Sequence, residues 1–169
     1  MTAEHYRPGA YRFGQGTEIT VRTVLPPPQA WAAVTDWTRH AAGVPLTTMT
    51  VIRRGAAAGV GDELRAVTGV GPLRLVDTML VQEWQPPAGA EPGIAVLVKT
   101  GTVVLGGASI EVAALGRGSL VTWWEEAMPA PRWLRSATGF LHEPVTRLVF
   151  GAAVRRQLAE AERGGDSPA

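Results

Sequence analysis

Residues 18–37 read EITVRTVLPPPQAWAAVTDW, and this stretch decides the fold. Ile19, Val21, Thr23 and Leu25 alternate with Glu18, Thr20 and Arg22, the period of two expected of a half-buried strand. Pro26, Pro27 and Pro28 stop that strand, because proline has no N–H for the ladder, yet proline suits the first turn of a helix. From Gln29 to Asp36 the spacing of Trp31 and Val34 predicts a short helix. Trp37 to Ala42 adds a second turn or two before Gly43-Val44-Pro45 ends it, since a residue preceding proline is pushed out of the helical region. A strand followed by an elbow of two short helices is therefore the opening of the chain's ordered part.

Outward from this elbow the pattern is all strand until the last fifth of the chain. Thr47 to Arg54, Gly61 to Thr68, Leu73 to Trp84, Ile94 to Thr100, Ala108 to Leu115 and Leu120 to Met128 are separated by short connectors rich in glycine. Connectors this short join antiparallel neighbours and leave no room for a helical crossover. From Pro131 to Arg163 the period of two disappears. Pro144 is placed to start or kink a helix whose apolar side carries Val145, Leu148, Val149, Ala152 and Leu158. The expected class is α+β: a seven-stranded curved antiparallel sheet, two short helices after strand one, and a long C-terminal helix over the concave face. One helix about 10 Å wide cannot touch a curved sheet across its full width, so a hollow is expected between them. Residues 18–163 form the single expected domain, with an irregular arm at 1–17 and a disordered tail at 164–169.

Composition narrows the function classes. The 169 residues are 46% hydrophobic and 18% charged, which excludes a disordered chain, and 16 basic against 15 acidic residues leave no field to draw in nucleic acid. Fifteen of the basic residues are arginine and the only lysine is Lys99, a bias read as compositional and without functional meaning. Cysteine is absent, which removes disulfides and thiolate chemistry. No stretch has the length and apolarity of a signal peptide or a membrane span, and a cytoplasmic location is expected.

Three words of the sequence resemble the START-like, or SRPBCC, superfamily with its helix-grip fold. They are Pro26-Pro27 with Ala30-Trp31 and Asp36-Trp37; Val81-Gln82-Glu83-Trp84-Gln85-Pro86-Pro87; and Gly118-Ser119-Leu120-Val121-Thr122-Trp123. They stand in the family's order across roughly Glu18 to Glu162. The resemblance implies a hydrophobic or amphipathic small molecule, lipid-like or polyketide-like, held between the sheet and the last helix. It also implies, as alternatives, a polyketide cyclase, aromatase or dehydratase, or a module presenting its outer sheet face, with Trp124, to a protein partner. Candidate lining residues are Trp37, Leu64, Ala66, Met79 and Trp123 from the elbow and sheet. Phe140, Leu141 and Leu148 are the candidates from the C-terminal segment. The apolar stretch Pro129 to Glu143, with Trp133, reads equally as a lid or as a homodimer surface.

Catalytic signatures are sparse. His5, His40 and His142 form no metal-ligand spacing, so no metal or other cofactor is expected, and His40 and His142 are expected at the surface or at helix ends. Gly106-Gly107-Ala108-Ser109-Ile110 lacks the closing glycine of a nucleophile elbow, and the other glycine pairs precede strands, not the helix a phosphate cradle needs. Carboxylates on apolar strand faces are more informative. Alternation puts Val121, Trp123, Glu125 and Ala127 on one face, and Leu75, Asp77, Met79 and Val81 on another. The resemblance implies that these two sets face inward, which makes Asp77 and Glu125 the candidate acid–base residues, because a carboxylate in an apolar hollow holds its proton more firmly. The competing reading pairs Glu125 with an arginine, sets it at the cavity mouth in water, or exposes it through a bulge that shifts the phase. Glu126 is expected in water, and Trp84 and Trp124 at an edge or facing outward.

Overall fold

The computed structural model describes residues 16–56, 59–130 and 132–165, with side chains in the last helix described at Pro144 and from Thr146 to Gly164. The expected arm lies outside the described residues except for 16 and 17, as does the expected tail from 166 onward. Ten elements follow one another: β1 (Thr17–Thr23), α1 (Pro27–Val34), α2 (Trp37–Ala42), β2 (Thr47–Arg53), β3 (Glu63–Val70), β4 (Leu73–Gln85), β5 (Gly93–Lys99), β6 (Val104–Leu115), β7 (Gly118–Pro129) and α3 (Arg132–Gly165). The seven strands form one antiparallel sheet in the order β1-β7-β6-β5-β4-β3-β2. β2 to β7 is a meander, whereas β1 and β2 lie on opposite edges. The α1–α2 elbow is what carries the chain across.

Each end of that elbow is set locally. Pro27 occupies the first turn of α1, where its missing N–H costs nothing, and the Asp36 carboxylate caps α2 by accepting from the Arg39 N–H at 3.2 Å. The core lies between the concave sheet face and the helices. Ile19, Val121, Trp123, Ile110, Ala108, Leu97, Met79 and Leu64 from the sheet meet Trp31, Val34, Trp37, Val154 and Leu158. Burial of each large apolar side chain contributes roughly 1.5 to 3 kcal/mol. Among the described residues no helix is long and apolar enough to cross a membrane.

Several expectations are corrected. β6 begins at Val104, four residues before the expected Ala108, because Gly106 continues the strand where a turn is expected. Its φ of +124° and the 2.3 Å that would separate an added Cβ from the Glu126 carbonyl oxygen explain the glycine. Pro144 lies inside a 34-residue helix, at an exposed position, and so does not start it. A bulge between Val81 and Glu83 shifts the register of β4, so that Trp84 pairs with the core residue Ala95. Trp84 therefore packs inward, edge-on to Trp31 at 5.0 Å and to Trp37 at 5.9 Å. Trp124 and Glu126 are both only 3% exposed, so neither is solvated and Trp124 offers no surface to a partner.

Candidate functional site

The last residue of β5, Lys99, points onto the concave face. Its neighbour across β4 is Met79, and Asp77 lies two residues further along the same face of β4. Glu125 approaches from β7, two strands away. The intervening β6 position is Ala108, paired with Leu97 on one side and Glu125 on the other, and this small side chain lets the lysine reach over β6. The ammonium then donates to Asp77 Oδ2 at 2.6 Å and pairs with Glu125 Oε1 at 3.0 Å, with Met79 Sδ at 3.9 Å. Trp123 Nε1 donates to the other oxygen, Glu125 Oε2, at 3.1 Å. The lysine side chain is 2% exposed and that of Glu125 3%.

Counting donors and acceptors shows what this cluster leaves open. Three ammonium protons meet three acceptors, and both Glu125 oxygens are engaged. Asp77 Oδ1 is buried and has no hydrogen-bond partner among the described residues. Burial, the largest influence on Asp77, and the nearby Glu125 charge raise its pKa above the usual aspartate value despite the opposing pull of Lys99. For Lys99 burial alone would favour loss of the proton, but Glu125 and Asp77 together outweigh it and hold the pKa above normal. Lys99 is held as a cation, and Asp77 Oδ1 is the polar atom that the cluster leaves without a partner among the described residues.

A second buried polar group borders this cluster through Trp123. The ring of His40 stacks on the Trp123 indole with centroids 4.4 Å apart and planes 4° from parallel, and Phe150 lies 5.8 Å away. His40 lies in the last turn of α2, the expected helix-end position, but at 2% exposure it is not at the surface. Trp37, His40 and Ala41 recur at i, i+3 and i+4 on α2, which is the signal for a shared inward face. Desolvation lowers its pKa from 6.5 to about 4, with the hydrogen bond to Gln157 acting weakly the other way.

The candidate residues therefore separate into groups. Asp77, Met79, Trp123 and Glu125 come together around Lys99, to which sequence reasoning assigns no role. A lone lysine ending the apolar run GIAVLVK was the available signal. Leu64 and Ala66 are buried on the same sheet face, and Trp37 belongs to the Trp31–Trp84 packing. The side chains of Phe140, Leu141, Trp133 and His142 lie outside the described residues. Leu148 does not line the interior: it is 70% exposed, in an open outer groove of about 490 Å³ with Glu18, Thr20, Arg147 and Arg155.

No protein-family model matches this sequence, and no curated protein matches it by sequence. Solved structures do resemble it in fold. TTHA0849 from Thermus thermophilus superposes with a TM-score of 0.71 at 11% identity, over 90% of this chain and 100% of that one. The di-domain ARO/CYC StfQ from the steffimycin biosynthetic pathway gives 0.64 at 10% identity, over 90% of this chain and 52% of that one. Ara h 8.0201 gives 0.53 at 11% identity, over 86% of this chain and 98% of that one. The chain has the α+β helix-grip architecture that its sequence words resemble, with seven curved antiparallel strands, two short helices and a long C-terminal helix.

Proposed function

We propose that this protein binds one small molecule with an apolar body and a polar group, between the concave sheet face and α3. The observation that carries this reading is the unpartnered Asp77 Oδ1 beside a buried lysine on an otherwise apolar face. A buried polar atom without a partner costs roughly 1 to 3 kcal/mol, and a ligand that satisfies it recovers that cost. The apolar neighbours Met79, Leu64 and Ala66 suit a hydrophobic body. The experiment is titration with 1-anilinonaphthalene-8-sulfonate, with native mass spectrometry of the purified protein. One saturable site is expected, weakened by Ala66→Trp, which fills space next to Asp77. Absence of saturable binding together with a ligand-free mass would overturn the reading.

A second reading is catalysis on a polyketide-like substrate, favoured by the raised pKa of Asp77. A protonated Asp77 would give its proton to a carbonyl oxygen as the enolate carbon of the same poly-β-ketone chain, its acidic C–H proton already lost to water, adds to the carbonyl carbon; the C–C bond forms, the C=O π bond breaks, and an alcohol and the Asp77 carboxylate result. The ARO/CYC fold of StfQ is compatible with this chemistry. Asp77→Asn should then reduce turnover of a poly-β-ketone thioester by at least about a hundredfold, the usual worth of a general acid. Full activity of that variant would exclude Asp77 as the acid.

A further inference from the structure

Gln157, on α3, fixes the chemistry of His40. Its Nε2 donates to the carbonyl oxygens of Ala33 and Asp36, both at 3.1 Å. Carbonyl oxygens only accept, so both amide protons are committed and the orientation of the Gln157 amide is determined. Gln157 Oε1, 3.0 Å from His40 Nδ1, is then an acceptor, and Nδ1 must carry the ring proton. The neutral ring has one proton only, which leaves Nε2 as a bare lone pair. That atom is buried and has no partner among the described residues. Three elements thus hold an unsatisfied acceptor in place: α2 supplies the ring, α3 the lock and β7 the Trp123 surface against which it stacks.

An acceptor that cannot donate selects its partner. A carbonyl, ether or carboxylate gains nothing from it, whereas an O–H group does, and more so when the hydroxyl is acidic, as on a phenol or enol. A phenol or enol carries that hydroxyl on a planar unsaturated carbon framework, and the contacts of Trp123 and Phe150 with the His40 ring keep the ring that would meet it fixed in place. We propose that His40 Nε2 is a ligand-binding acceptor that takes a hydrogen bond from the hydroxyl of a flat phenolic or enolic compound. The inference rests on the apolar-ligand reading above and adds the substituent that the ligand must carry.

The test compares 2-naphthol with 2-methoxynaphthalene, which has the same rings and no donor. The wild-type protein is expected to bind 2-naphthol about tenfold more tightly, the worth of one hydrogen bond. In His40→Phe, which keeps an aromatic ring against Trp123, the two probes should bind equally, with 2-methoxynaphthalene unchanged from wild type. Nitrogen-15 NMR of the wild-type imidazole supplies a readout that does not depend on the variant folding. Before ligand, His40 should show a protonated Nδ1 and an unprotonated Nε2, and 2-naphthol alone should shift Nε2. A hydroxyl preference that survives in His40→Phe, a proton on Nε2, or an Nε2 signal unmoved by 2-naphthol because an internal water alone occupies it would each overturn the inference. Equal binding of both probes to wild type would also overturn it while leaving the apolar-ligand reading intact. If neither probe binds, that reading fails and this inference with it.

Discussion

At the scale of single residues, the chemistry turns on groups whose charge is set by their neighbours. Lys99 is held as a cation by two carboxylates, so its removal leaves two like charges facing each other in a buried site. Lys99→Met should lower the urea unfolding free energy at pH 7.5 by about 3 kcal/mol, the usual cost of breaking a buried pair. The loss should shrink at pH 5, because the orphaned carboxylates then take up protons more readily in the folded state than in the unfolded one. An equal loss at both values would show that the pair contributes packing alone. His40 titrates in the opposite sense to a raised acid. Its folded pKa of about 4 lies below the unfolded 6.5, so the unfolded chain binds the extra proton between these values. Stability contributed by neutral His40 is complete above pH 6.5 and falls by about 3 kcal/mol as the pH drops to 4. Glu111, raised by burial from 4.5 to about 7, changes in the other direction over an overlapping window. The measurement is therefore a comparison: His40→Phe should lose less stability than wild type between pH 7 and pH 4.5, by denaturant unfolding at each pH. An identical pH profile would contradict the burial of His40.

At the scale of elements, backbone exceptions decide where side chains go. The β4 bulge leaves Asp77 and Met79 facing the core in the alternating phase and then turns Trp84 inward beyond it. Gly106 lets β6 run on beside Glu126. Gly106→Ala combines a strained φ with a backbone clash, whereas Gly116→Ala, at φ +60° with nothing within 4 Å, meets strain alone. Thermal unfolding should show the first variant losing clearly more than the roughly 1 kcal/mol expected of the second. Equal losses would mean that the strand relaxes around the added methyl. Gln157 joins α3 to α1 and α2 through three hydrogen bonds, and Gln157→Leu strands the buried Nδ1–H of His40, whereas the carbonyls of Ala33 and Asp36 keep the backbone N–H groups of Asp36 and His40. A cost of about 1 to 3 kcal/mol is expected by denaturant unfolding, from one buried donor left unsatisfied.

At the scale of the whole molecule, a protein that binds only when folded is stabilised by its ligand, by about 2.7 kcal/mol at a hundredfold excess over Kd. 2-Naphthol should therefore raise Tm with increasing concentration, and a flat response in differential scanning calorimetry would argue against binding to the native state. The architecture itself was legible in local rules. Alternation at Glu18 to Leu25, the proline run, the short glycine connectors and the loss of period after Pro131 require only knowledge of neighbouring residues, and they imply a meander with an elbow and a final helix. Alternation put Glu125 and Trp123 on one face of β7, and the family resemblance, not alternation, pointed that face inward. What alternation could not reach was any feature created by a partner distant in sequence. The lone lysine acquires meaning because residues 22 and 26 positions away converge on it across three strands. His40 is buried because α3 closes over α2 and brings Gln157 to a ring 117 residues earlier. Periodicity reports the direction of a side chain from its own backbone; the partner it meets there, and hence its charge and proton, is fixed by chain segments that only the folded arrangement brings together.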